Sequence, residues 1–177
     1  SQGPDYRSPG IGGIPMKLQG HAVKYGDNIS TDLIIAGKHT KTLNVRDLAD
    51  HAMEDLDPAF GRRISGGGIL VAGSYFGCGS SREQAPVALK EAGVLFIAAK
   101  TFSRIFYRNA VNIGLPVVEC DTDAISDDDI LEYDVGAEVL RNITQKKELA
   151  VTPLPEIMVE ILKEGGVVPY IKKHGGF

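Results

Sequence analysis

The chain has 177 residues, of which 43% are hydrophobic and 24% are charged, and its formal net charge at pH 7 is -4. This length corresponds to one domain with a sizeable core, and the composition is ordinary for a soluble globular protein. The negative net charge excludes bulk attraction to nucleic acid or to anionic membranes, and no apolar run approaches the about 18 residues of a membrane span. The two cysteines, Cys78 and Cys120, are too few for a disulfide framework and lack metal-ligand spacing. We therefore expect a cytoplasmic protein that binds neither nucleic acid nor membrane.

Residues 1–15 are rich in glycine, proline and serine and have no hydrophobic periodicity. We interpret them as an added tag or a disordered linker ahead of a native start at Met16, and residues 16–177 as a single domain. Residues 17–25 alternate as a first strand. The sequence then predicts a turn (26–32), a brief extended stretch (33–35), a polar loop (36–42) and a helix (45 to about 55) capped by Asn44 or Thr42.

The middle of the chain alternates between continuous apolar runs and amphipathic segments. After a turn-rich connection at 61–68, strands are predicted at residues 69–72, 94–99 and 115–119, with helices at 84–92 and from Thr101 or Ser103 to about Ala110. This alternation is typical of parallel βαβ units. Residues 121–134 are acidic and predicted to be a loop, followed by a hairpin (138–143 with 148–151) and a last helix from Pro155 to Gly165. The pattern predicts one α/β domain with strand pairings added outside a central parallel core.

A glycine-rich segment with two serines and an arginine, residues 73–83, joins the strand at 69–72 to the following helix. Glycines let the backbone approach a ligand closely, and the N-terminus of a helix favours anions, so the segment predicts an anion site. The alternative is a capping box from Ser80 to Glu83. Pro86 argues against this alternative, because it fits the first turn of a helix that begins near Arg82 better than the interior of one capped at Ser80. The segment lacks the Gly-Lys-Ser/Thr ending of a phosphate loop, so nucleotide binding is weakly indicated.

Two other groups of residues invite a metal interpretation. Residues 27–32 contain two aspartates and two hydroxyl side chains, but no further carboxylate spacing completes a calcium-type site, and a turn stabilised by side-chain hydrogen bonds is favoured. The four histidines are scattered along the chain without a ligand partner at helical spacing. We therefore predict no metal site, and we expect Cys78 to pack as a small residue rather than to react.

Residues 75–85 (Tyr-Phe-Gly-Cys-Gly-Ser-Ser-Arg-Glu-Gln-Ala) strongly resemble the swivel domain of the aconitase superfamily. The similarity is greatest to the free-standing small subunits of 3-isopropylmalate dehydratase, homoaconitase and dimethylmalate dehydratase. Residues 26–35, 100–109 and 112–116 also match, in the same order, so the resemblance runs from Met16 to the C-terminus. It implies a swivelling β/β/α domain of the α/β class with a partly parallel sheet.

The resemblance also implies an activity. Such enzymes are hydro-lyases that move a hydroxyl between adjacent carbons of a malate-type 2-hydroxy diacid through an alkene. The commonest reaction converts 2-isopropylmalate to 3-isopropylmalate in leucine biosynthesis, and the alternatives are the homoaconitase and 2,3-dimethylmalate dehydratase reactions. In the family, three cysteines of a large subunit hold a 4Fe–4S cluster that binds the hydroxyl and a carboxylate. This chain is accordingly expected to bind no cofactor and to be active only with a large, cluster-bearing subunit.

By match to the family's motifs, Ser80 is the catalytic base and Asp32 the acidic active-site residue, while Ser81 and Arg82 bind a substrate carboxylate. The family's substrate-selecting loop corresponds to residues of the polar loop, namely Lys38, His39, Thr40, Lys41 and Thr42. Isopropylmalate enzymes often have Tyr-Leu-Arg-Thr where this chain has His-Thr-Lys-Thr. Lys41 can still pair with a carboxylate, but as a point charge, and Thr40 is smaller and more polar than leucine.

Two hypotheses from other classes remain. A non-catalytic module could sense a small anion through residues 73–82 alone. RNA binding, by analogy with regulatory aconitases, is disfavoured by the net charge of -4 and by the lack of an aromatic and basic surface pattern.

Overall fold

The computed structural model describes residues 16–176, and its seven strands form one mixed sheet in the order β4-β3-β2-β1-β5-β6-β7. The predicted tag or linker at residues 1–15 lies outside the described residues. The strands are β1 (Lys17–Lys24), β2 (Gly68–Val71), β3 (Val94–Ala99), β4 (Val117–Glu119), β5 (Ile130–Asp134), β6 (Val139–Asn142) and β7 (Lys147–Leu149). Strands β1 to β4 pair in parallel, and β1 joins them to the antiparallel series β5, β6 and β7. The predicted partly parallel sheet is confirmed.

The helices are α1 (Thr31–Ile34), α2 (Val45–Asp50), α3 (Phe60–Ile64), α4 (Gln84–Ala92), α5 (Arg104–Asn112), α6 (Glu156–Glu164) and α7 (Val167–His174). Three predicted ends are confirmed. The side chain of Asn44 accepts a hydrogen bond from the Arg46 amide and caps α2, and Ser103 caps α5 in the same way. Gly93 ends α4 in the left-handed conformation.

Four predictions about secondary structure are wrong. Residues 33–35 are not an extended stretch, because Ser30 caps the short helix α1 that contains the first two of them. The predicted connection at 61–68 contains most of α3. The acidic stretch 121–134 contains β5, where Leu131 and Tyr133 alternate inward and their polar neighbours face out. A further helix, α7, follows the one predicted to be last, and begins after two glycines of positive φ.

The core lies between the parallel strands and the helices that cover them. Strand β2 and nearly all of β3 are buried, as expected for parallel strands covered on both faces. Because β1, β2 and β3 are parallel, the segments that leave their carboxyl ends meet at one edge of the sheet, where ligands bind in open α/β sheets. Within residues 16–176, no helix combines the length and the apolar character needed to cross a membrane.

Candidate active site

The segment after β1 and the glycine-rich segment after β2 run side by side at this edge. Backbone hydrogen bonds of 2.8–3.0 Å join the two segments. The donor amides and acceptor carbonyls are Gly73 N to Gly26 O, Asn28 N to Ser74 O, Gly77 N to Ile29 O and Thr31 N to Cys78 O. The hydroxyl of Thr31 donates a fifth bond, of 2.8 Å, to the carbonyl oxygen of Ser80. The turn that carries the two serines is therefore fixed by backbone pairing up to Cys78, and by the Thr31 hydroxyl at Ser80.

The segment after β3 supports the same turn from its other side. Lys100 N donates to Gly73 O, Phe76 N donates to Thr101 O, and Ser103 N donates to Phe76 O, at 2.9–3.0 Å. Gly77 has a φ of 80°, and a Cβ atom there would overlap the ring of Phe106 on α5. Only glycine therefore fits at this point of the turn.

Ser80 and Ser81 are exposed, and neither caps α4. The residue before α4 is Glu83, whose side chain makes no capping hydrogen bond, so the capping-box alternative is wrong. Pro86 is the third residue of α4, in the first turn, as its ring requires. The amide of Arg82 instead bonds back to Ser80 O at 2.9 Å, which folds the chain tightly between the serines and the helix.

Arg82 is held by the segment that follows β1. Its guanidinium donates to the carbonyl oxygen of Ile35 at 2.9 Å and forms an ion pair with Asp32. The Arg82 side chain is 24% exposed and the Asp32 side chain 64% exposed, so the pair faces solvent on the carboxylate side. A Cβ atom on Gly37 would lie 3.2 Å from Arg82 Nη2, which places the start of the polar loop beside the guanidinium. The structure thus brings together Asp32 and Arg82, which are 50 positions apart in the sequence.

The polar loop begins with a 3-10 turn at Gly37–His39. Lys38 and Lys41 are exposed. The hydroxyl of Thr40 donates to Gly37 O at 2.7 Å, and the hydroxyl of Thr42 donates to an Asp47 carboxylate oxygen at 3.1 Å. Side-chain bonds within the loop and to α2 therefore shape this segment.

His39 lies against residues that the sequence analysis did not connect with it. Its ring stacks on that of His51, with 3.7 Å between centroids and 6° between planes. His39 Nε2 and His51 Nδ1 approach the Glu54 carboxylate to 3.0 and 2.9 Å. The hydrogen bond with His51 lowers the pKa of Glu54. The expectation that the histidines are scattered without a partner is wrong for this pair. The i, i+3 spacing of His51 and Glu54 is a local signal for their contact with each other, but not for the approach of His39.

Comparisons with known proteins show the family to which the chain is related. The family described as the aconitase C-terminal domain matches residues 13–122. The chain belongs to this family. It is 53% identical to 3-isopropylmalate dehydratase small subunit 2 of Archaeoglobus fulgidus, over 90% of this chain and 98% of the relative. It is 49% identical to the 3-isopropylmalate dehydratase small subunit of Caldanaerobacter subterraneus, over 88% of this chain and 98% of that relative.

A solved structure gives the same result for the fold. The crystal structure of 3-isopropylmalate dehydratase from Methanocaldococcus jannaschii superposes with a TM-score of 0.86 at 42% identity, over 90% of this chain and 96% of that one. The expected aconitase-type swivel fold is confirmed, as is the expected resemblance to the small subunits of this hydro-lyase family.

The thiols of this aconitase-family chain do not fit a cluster. The sequence has two cysteines, whereas the cluster implied by the resemblance is held by three. Cys78 is partly buried in the site turn, and burial raises the pKa of the Cys120 thiol to about 12. Cys120 is therefore protonated at neutral pH and is a poor metal ligand.

Proposed function

We propose that this chain is the small subunit of a 3-isopropylmalate dehydratase, and that with a large subunit it converts 2-isopropylmalate to 3-isopropylmalate in leucine biosynthesis. The match to the named small subunits over nearly their full length supports this proposal. In it, the large subunit carries the 4Fe–4S cluster, whose chemistry is to bind the departing hydroxyl and a carboxylate. The two thiols of this chain support that division.

The observation that carries the proposal is the guanidinium of Arg82, held beside two exposed serines just ahead of α4. A guanidinium offers two parallel donors to a carboxylate, and fixing it before substrate arrives avoids an ordering cost during binding. Asp32 and the carbonyl of Ile35 fix its direction. Arg82 and Ser81 accordingly bind one carboxylate of the diacid, and Asp32 positions Arg82.

Ser80 is the base in this proposal. Its oxygen takes the proton from the carbon next to a carboxylate, the hydroxyl leaves from the adjacent carbon, and the alkene forms between them. Return of the proton and the hydroxyl to the exchanged carbons gives the isomer. A serine hydroxyl has a pKa far too high for a free alkoxide, so positive potential must stabilise the anion. Arg82 and the N-terminal amides of α4 supply that potential next to the turn.

The test is turnover by the chain mixed with its cluster-loaded large subunit. We expect no activity from the chain alone, and dehydration of 2-isopropylmalate by the pair at a higher kcat/KM than dehydration of homocitrate or 2,3-dimethylmalate. Preference for either of the other two hydroxy acids would overturn the choice of substrate, and activity of the chain alone would overturn the division of roles.

Substitution tests the base within the same assay. Ser80→Ala should reduce kcat by about 10³-fold, the middle of the range for loss of a general base, with the partner still bound. The matched control is Ser126→Ala, an exposed serine in the loop before β5, which should leave kcat unchanged. A Ser80→Ala pair that retains its kcat would show that another group removes the proton.

A further inference from the structure

Two histidines and a glutamate cluster between the polar loop and the turn after α2. We infer that His39, His51 and Glu54 form a binding site for a divalent transition-metal ion of the zinc class. This inference does not depend on the proposed function, because it rests on the three side chains alone. It revises the expectation of no metal site, which rested on the separation of the histidines in the sequence.

The spacing of the donor atoms is close to what a single ion needs. One nitrogen from each histidine and a carboxylate oxygen of Glu54 all lie within 4.8 Å of one another. Around a tetrahedral zinc ion with bonds of about 2.0–2.1 Å, neighbouring ligand atoms are about 3.3–3.4 Å apart. His39 Nε2 and His51 Nδ1 both lie 3.0 Å from the same Glu54 oxygen, Oε1, which is shorter than this by a few tenths of an ångström. A small retreat of the carboxylate, together with rotation of the stacked rings, makes room for the ion.

One ring nitrogen in the cluster is buried and poorly aligned with its neighbour. His39 Nε2 is buried, and within residues 16–176 it has no hydrogen-bond partner, because Glu54 lies at ion-pair distance but outside hydrogen-bond geometry. A buried polar atom whose contact is poorly aligned calls for an explanation. A metal ion between the three groups gives one, since it takes the lone pair of the nitrogen. The stacked rings must rotate apart for both lone pairs to point at the ion.

The chemistry of the ligands selects the metal. Two imidazoles and one carboxylate suit zinc, copper, nickel or cobalt, whereas magnesium and calcium prefer oxygen ligands. The His51 and Glu54 side chains are 39% and 35% exposed, so water can reach the fourth position and an ion can enter from solvent.

The site joins the polar loop to the segment that follows α2. His39 lies in the 3-10 turn of the polar loop, whereas His51 and Glu54 follow α2. The segment after α2 is itself anchored, because the amide of Met53 donates to Ile34 O at 2.8 Å, one residue before the carbonyl that holds Arg82. A bound ion would therefore fasten the loop to the part of the structure that holds the guanidinium.

Metal binding to the full chain after treatment with a chelator tests the site. Titration with ZnCl₂ followed by calorimetry should show one ion per chain, and CoCl₂ should give the visible absorption of a tetrahedral Co²⁺ complex with nitrogen ligands. MgCl₂ at the same concentrations should give no heat of binding. Absence of saturable zinc binding, or equal binding of magnesium, would overturn the inference.

Substitutions then locate the ion. His39→Ala, His51→Ala and Glu54→Gln should each weaken zinc binding by at least about tenfold and reduce the Co²⁺ absorption. The control is His174→Ala. His174 is a half-exposed histidine on α7, outside the cluster, and its Nε2 lies 3.8 Å from a Glu164 carboxylate oxygen. Zinc binding that survives His39→Ala and His51→Ala but is lost in His174→Ala would show an adventitious surface site. Far-ultraviolet circular dichroism of each variant excludes unfolding as the cause of a loss.

Discussion

The two segments that form the proposed site are held in place by different kinds of bond. The glycine-rich turn is fixed by backbone hydrogen bonds to the segments after β1 and β3. Apart from the two backbone bonds of its 3-10 turn, the polar loop at residues 36–42 is shaped by the side chains of Thr40, Thr42 and His39. Backbone pairing tolerates many side chains provided that glycines stay where they are needed. A loop held by side chains changes its shape with each substitution, and such loops carry specificity on a fixed scaffold.

The largest expected effect comes from breaking the backbone-held turn. In Gly77→Ala, the new methyl group overlaps the Phe106 ring and the residue must keep a φ of 80°. We expect the free energy of unfolding to fall by about 3 kcal/mol, combining an overpacking cost of about 1–3 kcal/mol with a left-handed conformation cost of about 1–2 kcal/mol. Urea denaturation of the isolated chain measures it.

Gly79→Ala is the matched control for that loss. Gly79 also has a positive φ, of 93°, but its nearest neighbours would lie 3.7 Å from a new Cβ atom, so only the conformational cost of about 1–2 kcal/mol applies. Equal losses in the two variants would mean that the contact with α5 does not constrain the turn.

The next effect lies where the two segments meet, at Arg82. In Arg82→Lys the charge remains, but a lysine cannot contact Ile35 O, Asp32 and a substrate carboxylate in one planar arrangement. In the reconstituted pair we expect kcat/KM for 2-isopropylmalate to fall about 100-fold, which corresponds to about 2.7 kcal/mol. The free energy of unfolding should change by less than about 1 kcal/mol, because Asp32 is well exposed.

Arg46→Lys is the corresponding control on the surface. Arg46 and Asp50 form an ion pair of 3.7 Å on α2, and both side chains are more than half exposed. Neither kcat/KM nor stability should change measurably. If Arg82→Lys also left kcat/KM unchanged, the guanidinium would not be the group that binds the substrate carboxylate.

Features of the fold and the site that depend on local sequence signals could be predicted from the sequence. The turn was identified because its glycines, Pro86 and the apolar run before it are local signals, and the family motif then gave Ser80 and Arg82 their roles. Strand β5 was missed because five aspartates between positions 121 and 129 precede it and obscured the alternation of Leu131 and Tyr133.

Contacts between distant residues could not be predicted in this way. The ion pair of Asp32 with Arg82 depends on the parallel order of β1 and β2, which brings two segments about 50 residues apart to one edge. The stacking of His39 on His51 depends on how the polar loop packs against the end of α2. Neither contact has a local sequence pattern that specifies it. The contact of His51 with Glu54 does have one, because the two residues are three positions apart.

The smallest effect concerns the loop held by side chains. Isopropylmalate enzymes often have leucine where this chain has Thr40, so Thr40→Leu should raise the ratio of kcat/KM for 2-isopropylmalate over 2,3-dimethylmalate about tenfold, the lower end of what about 1–3 kcal/mol of apolar contact gives. The substitution also removes the bond of 2.7 Å to Gly37 O, so Thr40→Val is needed as a control, because it removes the same hydroxyl without adding length. If valine shifts the ratio as much as leucine does, the shape of the loop sets selectivity. If only leucine shifts the ratio, direct contact between residue 40 and the substrate sets selectivity. Individual side chains of the loop then determine which substrate is preferred.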